Sequence, residues 1–213
     1  MEYIFWLIFS IPIMIISSTV HEFMHAWVAV KLGDSTPAEE GRLTLNPIAH
    51  IDPVGFLFMV LARVGWAKPV PVNIGNFRKP MQGQFLVAIA GPLSNIVLMF
   101  IGAAILKFLL VVMSPLHLPG VDILTQFFIV FIFINATLAF FNLLPIPPLD
   151  GGNIVDSLIP EAFRDQWQAI GKFLPFILLI FVIPGTPFFA LFSNFWYNFI
   201  ENIVSLVFRL FSI

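Results

Sequence analysis

Two histidines four residues apart flank a glutamate in the stretch His21-Glu22-Phe23-Met24-His25. On a helix, residues i and i+4 share a face, so both imidazoles can bind one metal ion. Glu22 lies about 100° round the helix from His21, close enough to reach a metal-bound water without being a ligand. Two imidazoles leave a catalytic zinc one protein ligand short, since such sites usually have three plus water. The chain has 4 His, and the other two, His50 and His117, lie far along the sequence. The best match for a third ligand is Asp150, in Asn142-Leu143-Leu144-Pro145-Ile146-Pro147-Pro148-Leu149-Asp150-Gly151-Gly152. The competing reading is that residues 147–152 are only a turn, with Asp150 as a turn residue.

The surroundings of these residues are apolar. Of 213 residues, 59% are hydrophobic and only 10% charged, where a soluble domain carries roughly a quarter charged. The 26 Phe, 5 Trp and 2 Tyr are more aromatic groups than a core of this size could bury. A water-soluble globule, a disordered chain and a secreted disulfide scaffold are excluded. The absence of Cys removes any thiol nucleophile or Cys-based zinc site. A net charge of -2 gives no electrostatic case for nucleic acid. The composition describes an integral membrane protein, and residues 1–213 read as a single membrane-embedded domain. An ionisable residue inside a spanning helix is costly and marks a functional site by default.

A spanning helix needs about 20 mostly apolar residues. Candidate spans run over about Tyr3–Val30, Gln84–Met113, Ile123–Leu144, Ile170–Ile183 and Phe188–Phe208. The fold class is therefore an all-α polytopic membrane protein with about five transmembrane helices. The opening Met1-Glu2 has neither the basic start nor the small-residue cleavage site of a secretory signal, so the first helix is expected to be retained. Lys31, Arg42, Arg63, Lys68, Arg78 and Lys79 fall in the first loop, and Arg164 and Lys172 in the third. The connection 114–122 holds no Lys or Arg. The positive-inside bias then places the N-terminus outside and the basic loops and C-terminus in the cytoplasm. His21 and His25 near the inner end of the first helix meet Asp150, just beyond the inner end of the third. The expected location is the cell membrane, multi-pass, with the site opening towards the cytoplasm.

The segment 41–76 is too apolar for an ordinary loop. Val54–Val64 is too short to span and suits a re-entrant or interfacial piece. Residues 43–46 and 68–74 alternate like strands, and Pro69 and Pro71 would confine the second to an edge. Non-helical backbone at membrane depth persists only where protein or a water-filled cavity surrounds it. A re-entrant, β-like segment lining a polar site is therefore expected between the first two spans.

Taken together, the His21–His25 motif on a first core helix and the distant Asn142…Pro145…Pro147…Leu149-Asp150-Gly151 resemble the site-2 protease family of intramembrane zinc metalloproteases. Ala90-Gly91-Pro92-Leu93-Ser94-Asn95 resembles that family's small-residue motif on the second helix. The stretches 41–47, with His50 and Asp52-Pro53, and 68–73 resemble compact bacterial or archaeal members. The likeness covers about residues 15–155, with further apolar helices over about 170–211. No insertion large enough for a PDZ module, nor a tail for a CBS module, is visible. The resemblance implies one Zn2+ per chain held by His21, His25 and Asp150. Glu22 would be the catalytic acid/base, and Asn142 would contact a membrane-anchored protein substrate within the lipid bilayer.

Other residues carry two readings each. Asn142 caps its helix or contacts substrate. His50 satisfies loop backbone or assists an oxyanion. Gly91, Ser94 and Asn95 allow close helix packing, although Asn95 could instead bond the histidine helix. A protease must admit an extended substrate, so an edge around Val70 and Val72 could pair with it by strand addition. The alternative of another class is a metal-ion transporter using His21, Glu22, His25 and Asp150 as a transit site. Transporters more often show broken helices and internal repeats, and no repeat is visible here.

Overall fold

The computed structural model describes residues 2–62, 65–113, 115, 120–174, 176, 180 and 187–213. The helices are α1 (Glu2–Lys31), the short α2 (Thr36–Glu39), α3 (Pro53–Ala62), α4 (Pro80–Phe108), α5 (Val121–Asn142), α6 (Asp150–Leu158), α7 (Glu161–Gly171) and α8 (Pro187–Phe211). Among the described residues, three segments are long and apolar enough to cross a membrane: Leu7–Lys31, Pro80–Met113 and Val121–Asn142. These coincide with the first three spans expected from the sequence, and the chain is a helical, multi-pass membrane protein. The fourth expected span, Ile170–Ile183, falls largely outside the described residues, as does His117. The fifth is α8, a full-length helix whose exposed Asn194, Asn198, Glu201, Asn202 and Arg209 leave it out of the three most apolar segments.

α4 is the central helix, packed against α1, α5, α6 and α8. Its start is set by Pro80 at the first helical position, where a missing N–H costs nothing. Close approach to α5 depends on Gly102, where a Cβ would come within 2.8 Å of the Phe131 ring. Met99, Ala103 and Leu106 of α4, Ile132 and Ala136 of α5, and Ile200, Val204 and Val207 of α8 form the main core. Large apolar side chains such as Ile16, Val97, Ile101 and Ile105 stay exposed on the helix exteriors. An exposed apolar surface of this kind belongs in lipid rather than water.

The segment between α1 and α4 departs from expectation. Among the described residues there is no strand, only an isolated antiparallel bridge between Ile51 and Ala67. The alternating stretches 43–46 and 68–74 are irregular, for a physical reason. Pro69 and Pro71 have no N–H to give a ladder, and side chains of the body take the neighbouring backbone groups. Arg42 donates through Nη1 to the Pro69 carbonyl at 3.0 Å and through Nη2 to the Lys68 carbonyl at 2.5 Å. The Val70 N–H donates to Glu22 Oε2 at 3.0 Å, and the Asn73 N–H to Asp34 Oδ2 at 2.8 Å. Residues 68–73 thus form a strap tied down by three buried or half-buried side chains. Of the expected re-entrant piece at 54–64, the described residues up to Ala62 belong to the helix α3, whose Val54, Leu57, Phe58 and Leu61 are exposed.

Candidate metal centre

His21 and His25 occupy the inner-facing side of α1 and are both buried. Asp150 is the first residue of α6, brought back beneath α1 by a tight return after α5. The return needs the two glycines that follow. A Cβ on Gly151 would lie 2.5 Å from the Leu143 carbonyl carbon, and one on Gly152 2.6 Å from the Pro147 nitrogen. The competing reading of the sequence took residues 147–152 as only a turn; here Gly151 and Gly152 lie in the first turn of α6, and close backbone approach is what they supply.

His21 Nε2 is 3.0 Å from Asp150 Oδ2, His25 Nε2 is 3.3 Å from Asp150 Oδ1, and the two Nε2 atoms are 3.0 Å apart. The other ring nitrogens are fixed by the helix behind them. His21 Nδ1 meets Asn95 Oδ1 at 2.6 Å, and His25 Nδ1 meets the Val87 carbonyl at 2.7 Å. Both partners only accept, so both Nδ1 atoms carry the proton and both Nε2 atoms present lone pairs. Two lone pairs and a carboxylate then converge with no donor between them, and Asp150 Oδ2 is buried without a hydrogen bond. Such a cluster calls for a cation. Tetrahedral zinc with arms of about 2.0–2.1 Å separates its ligands by about 3.3 Å, close to the spacings seen here. Holding the second nitrogen of each ligating histidine in a hydrogen bond is the usual support of a metal site.

Gly91 completes the cradle. A Cβ there would stand 2.6 Å from His21 Nε2 and Cε1, and closer still to His25 Nε2. Its small size serves the imidazoles directly, beyond the helix packing expected from the sequence.

A cavity of about 760 Å3 opens beside these atoms. His21, Glu22, His25 and Asp150 line it, together with Asn142, Val70, Val72 and His50. The rest of the wall is mostly apolar, with Met14, Ile15, Phe56, Met59, Trp66 and Phe141 among its members, and it also carries Ser18, Thr19, Asp52, Gln84 and Asn153. All eight residues singled out for the site therefore face one cavity. His50 is 2% exposed, and both its nitrogens are engaged by the loop. Nε2 donates to the Thr44 carbonyl at 2.8 Å, and Nδ1 lies 3.3 Å from Arg42 Nη2. Asn142 donates through Nδ2 to the Leu138 carbonyl one turn back at 3.0 Å, while also lying on the cavity wall.

Sequence reasoning missed three supports. Arg42 and Asp34 hold the strap; Arg42 lies in the stretch 41–47 but was given no role there, and Asp34 belongs to none of the motifs. Asp34 accepts from Thr36 N and Oγ1, Asn73 N and Asn76 Nδ2. Burial would raise its carboxyl, but these hydrogen bonds prevail and lower it. The third is Asn135, fully buried within α5. The signal was present, an amide inside an apolar run, but its partner was not.

A family model described as Peptidase family M50 matches residues 9–183. The chain is 46% identical over 179 residues to YwhC of Bacillus subtilis (strain 168), which carries a zinc-metalloprotease name; the match covers 80% of this chain and 78% of that one. It is 31% identical over 179 residues to Rip2 of Mycobacterium tuberculosis (strain ATCC 25618 / H37Rv), also named as a zinc metalloprotease, covering 80% of this chain and 65% of that protein. Stage IV sporulation protein FB of Bacillus subtilis (strain 168) is 32% identical over 164 residues, or 72% of this chain and 51% of its own length. No solved structure matches this chain.

Proposed function

The chain belongs to peptidase family M50, the site-2 protease family, and is a membrane metalloprotease, and from that premise we propose that it is an intramembrane zinc endopeptidase. The substrate is a membrane-anchored protein, cut within or next to its transmembrane segment. His21, His25 and Asp150 hold one zinc ion, and Glu22 is the acid/base. The observation that carries the reading is the convergence of two Nε2 lone pairs and a carboxylate, without a donor, on the wall of an apolar cavity.

When bound, zinc would polarise the scissile carbonyl and lower the pKa of the attacking water towards 7. Glu22 takes a proton from that water as its oxygen bonds to the carbonyl carbon. It returns the proton to the nitrogen as the C–N bond breaks, leaving a carboxyl and an amine. The Val70 N–H aligns the Glu22 carboxylate through Oε2 and leaves the other oxygen for this work. Val70, Val72 and Asn142 on the cavity wall are the candidate substrate contacts. Pairing by strand addition would need the strap to let go of some of its present partners. The concentration of Lys and Arg in the loops next to the site supports a mouth on the cytoplasmic side.

The test is the Glu22→Gln protein, purified and incubated with single-span test substrates. Zinc retained with cleavage lost is the expected result. Retained cleavage overturns the assignment of Glu22, and zinc flux into proteoliposomes would favour transport instead.

A further inference from the structure

Asn95 and Asn135 are both 0% exposed, on adjacent helices in the apolar interior, and neither touches the cavity wall. Buried amides at membrane depth are costly unless every donor and acceptor is paired. Here they form a directed chain. Asn135 Nδ2 donates to the Phe131 carbonyl at 2.9 Å, so its Oδ1 is left as an acceptor. Asn95 Nδ2 donates to that Oδ1 at 3.0 Å and, more weakly, to the Ser17 carbonyl at 3.4 Å. Asn95 Oδ1 is thereby turned to His21 Nδ1 at 2.6 Å.

We infer that Asn135 is a positioning residue for the metal centre, acting through Asn95 to hold His21 in the tautomer whose Nε2 is free to ligate. The inference rests on the metalloprotease reading of the same site. A carbonyl of the α5 backbone sets the direction of the chain, and direction is what matters. If the Asn95 amide turned over, its NH2 would face His21 Nδ1, and Nε2 would have to carry the proton. A protonated Nε2 cannot bind a metal. The turned amide would also set Asn95 Oδ1 against two acceptor oxygens, Asn135 Oδ1 and the Ser17 carbonyl. Removing Asn135 leaves only the 3.4 Å contact to oppose the turn. Three helices, α1, α4 and α5, thus share control of one imidazole.

The experiment measures zinc affinity of the detergent-solubilised full chain by competition with a chromogenic chelator. Asn135→Leu keeps the branched shape at a larger volume and removes the acceptor. Zinc affinity is expected to fall about 10-fold, the lower end of the effect of outer partners of metal ligands. Proteolytic activity should return as free zinc is raised. Asn135→Ala is measured in parallel in case the leucine variant does not fold, with the same expectation. In an Asn95→Ala background, itself weakened, replacing Asn135 should cost no further affinity, because its route to His21 is already cut. Affinity within twofold of the parent, or an equal further loss in the Asn95→Ala background, overturns the inference while leaving the metal centre intact. A parent protein that binds no zinc overturns both.

Discussion

Replacing Gly91 with alanine probes the centre without touching a ligand. The added Cβ would lie 2.6 Å from His21 Nε2 and Cε1 and nearer still to His25 Nε2. Carbon atoms pack best at about 3.5–4.0 Å, so relief requires the rings or α4 to move by about 1 Å. The rings have no room to retreat freely, because Nδ1 of each is tied to α4, at 2.6 Å to Asn95 and 2.7 Å to the Val87 carbonyl. Breaking one of those bonds costs about 0.5–1.5 kcal/mol, and overpacking about 1–3 kcal/mol more. The metal suffers more than the fold, since ligand distances must hold within about 0.2 Å. Zinc affinity should fall by at least about 100-fold, beyond the usual range for outer partners, because both imidazoles are displaced. The assay is zinc content by mass spectrometry after gel filtration, beside cleavage of a single-span reporter. Gly102→Ala is the control, placing a Cβ 2.8 Å from the Phe131 ring on the same helix. It should lower thermal stability while keeping zinc. Full zinc content and turnover in Gly91→Ala would refute the reasoning.

Three other outcomes are expected. Gly151→Ala should lose zinc, because the new Cβ meets the Leu143 and Leu144 backbone and pushes Asp150 away; metal analysis of the purified variant checks it. Arg42→Met should free residues 68 and 69, with cleavage impaired and zinc content unchanged, read by turnover and metal analysis on one sample. Asp34→Asn should lower the melting temperature at pH 7. The folded carboxyl is lowered, so its stabilisation is present above the unfolded value near 3.9 and disappears as pH falls through the folded value. The gap between parent and variant should therefore narrow as the pH drops below about 4, and a gap constant with pH would contradict that assignment.

The clustering of His21, His25 and Asp150 was legible because these residues lie in short motifs whose spacing limits the geometry. His21 and His25 share a helix face whatever surrounds them, and apolar run lengths marked α1, α4 and α5. The strap was misread because alternation in Lys68–Ile74 is also what an irregular segment shows when its valines face a cavity. Deciding between them needs Arg42, Glu22 and Asp34, which are 26 to 48 residues away from the groups they hold. Asn95 was weighed as a polar residue in an apolar helix, whereas Asn135 was not singled out. Their order, from Phe131 through two amides to His21, is set by three-dimensional contact alone. Gly91 looked like a packing residue, and its nearness to two imidazoles is a property of helix crossing.

Zinc K-edge absorption on the purified parent and on Asp150→Ala tests the centre most directly. The parent should hold one zinc per chain, with two imidazole nitrogens and oxygen ligands at about 2.0–2.2 Å. The variant should lose the metal or replace the carboxylate with water at much lower affinity. A parent without zinc, or a spectrum and stoichiometry unchanged by Asp150→Ala, would contradict a metal centre built from His21, His25 and Asp150.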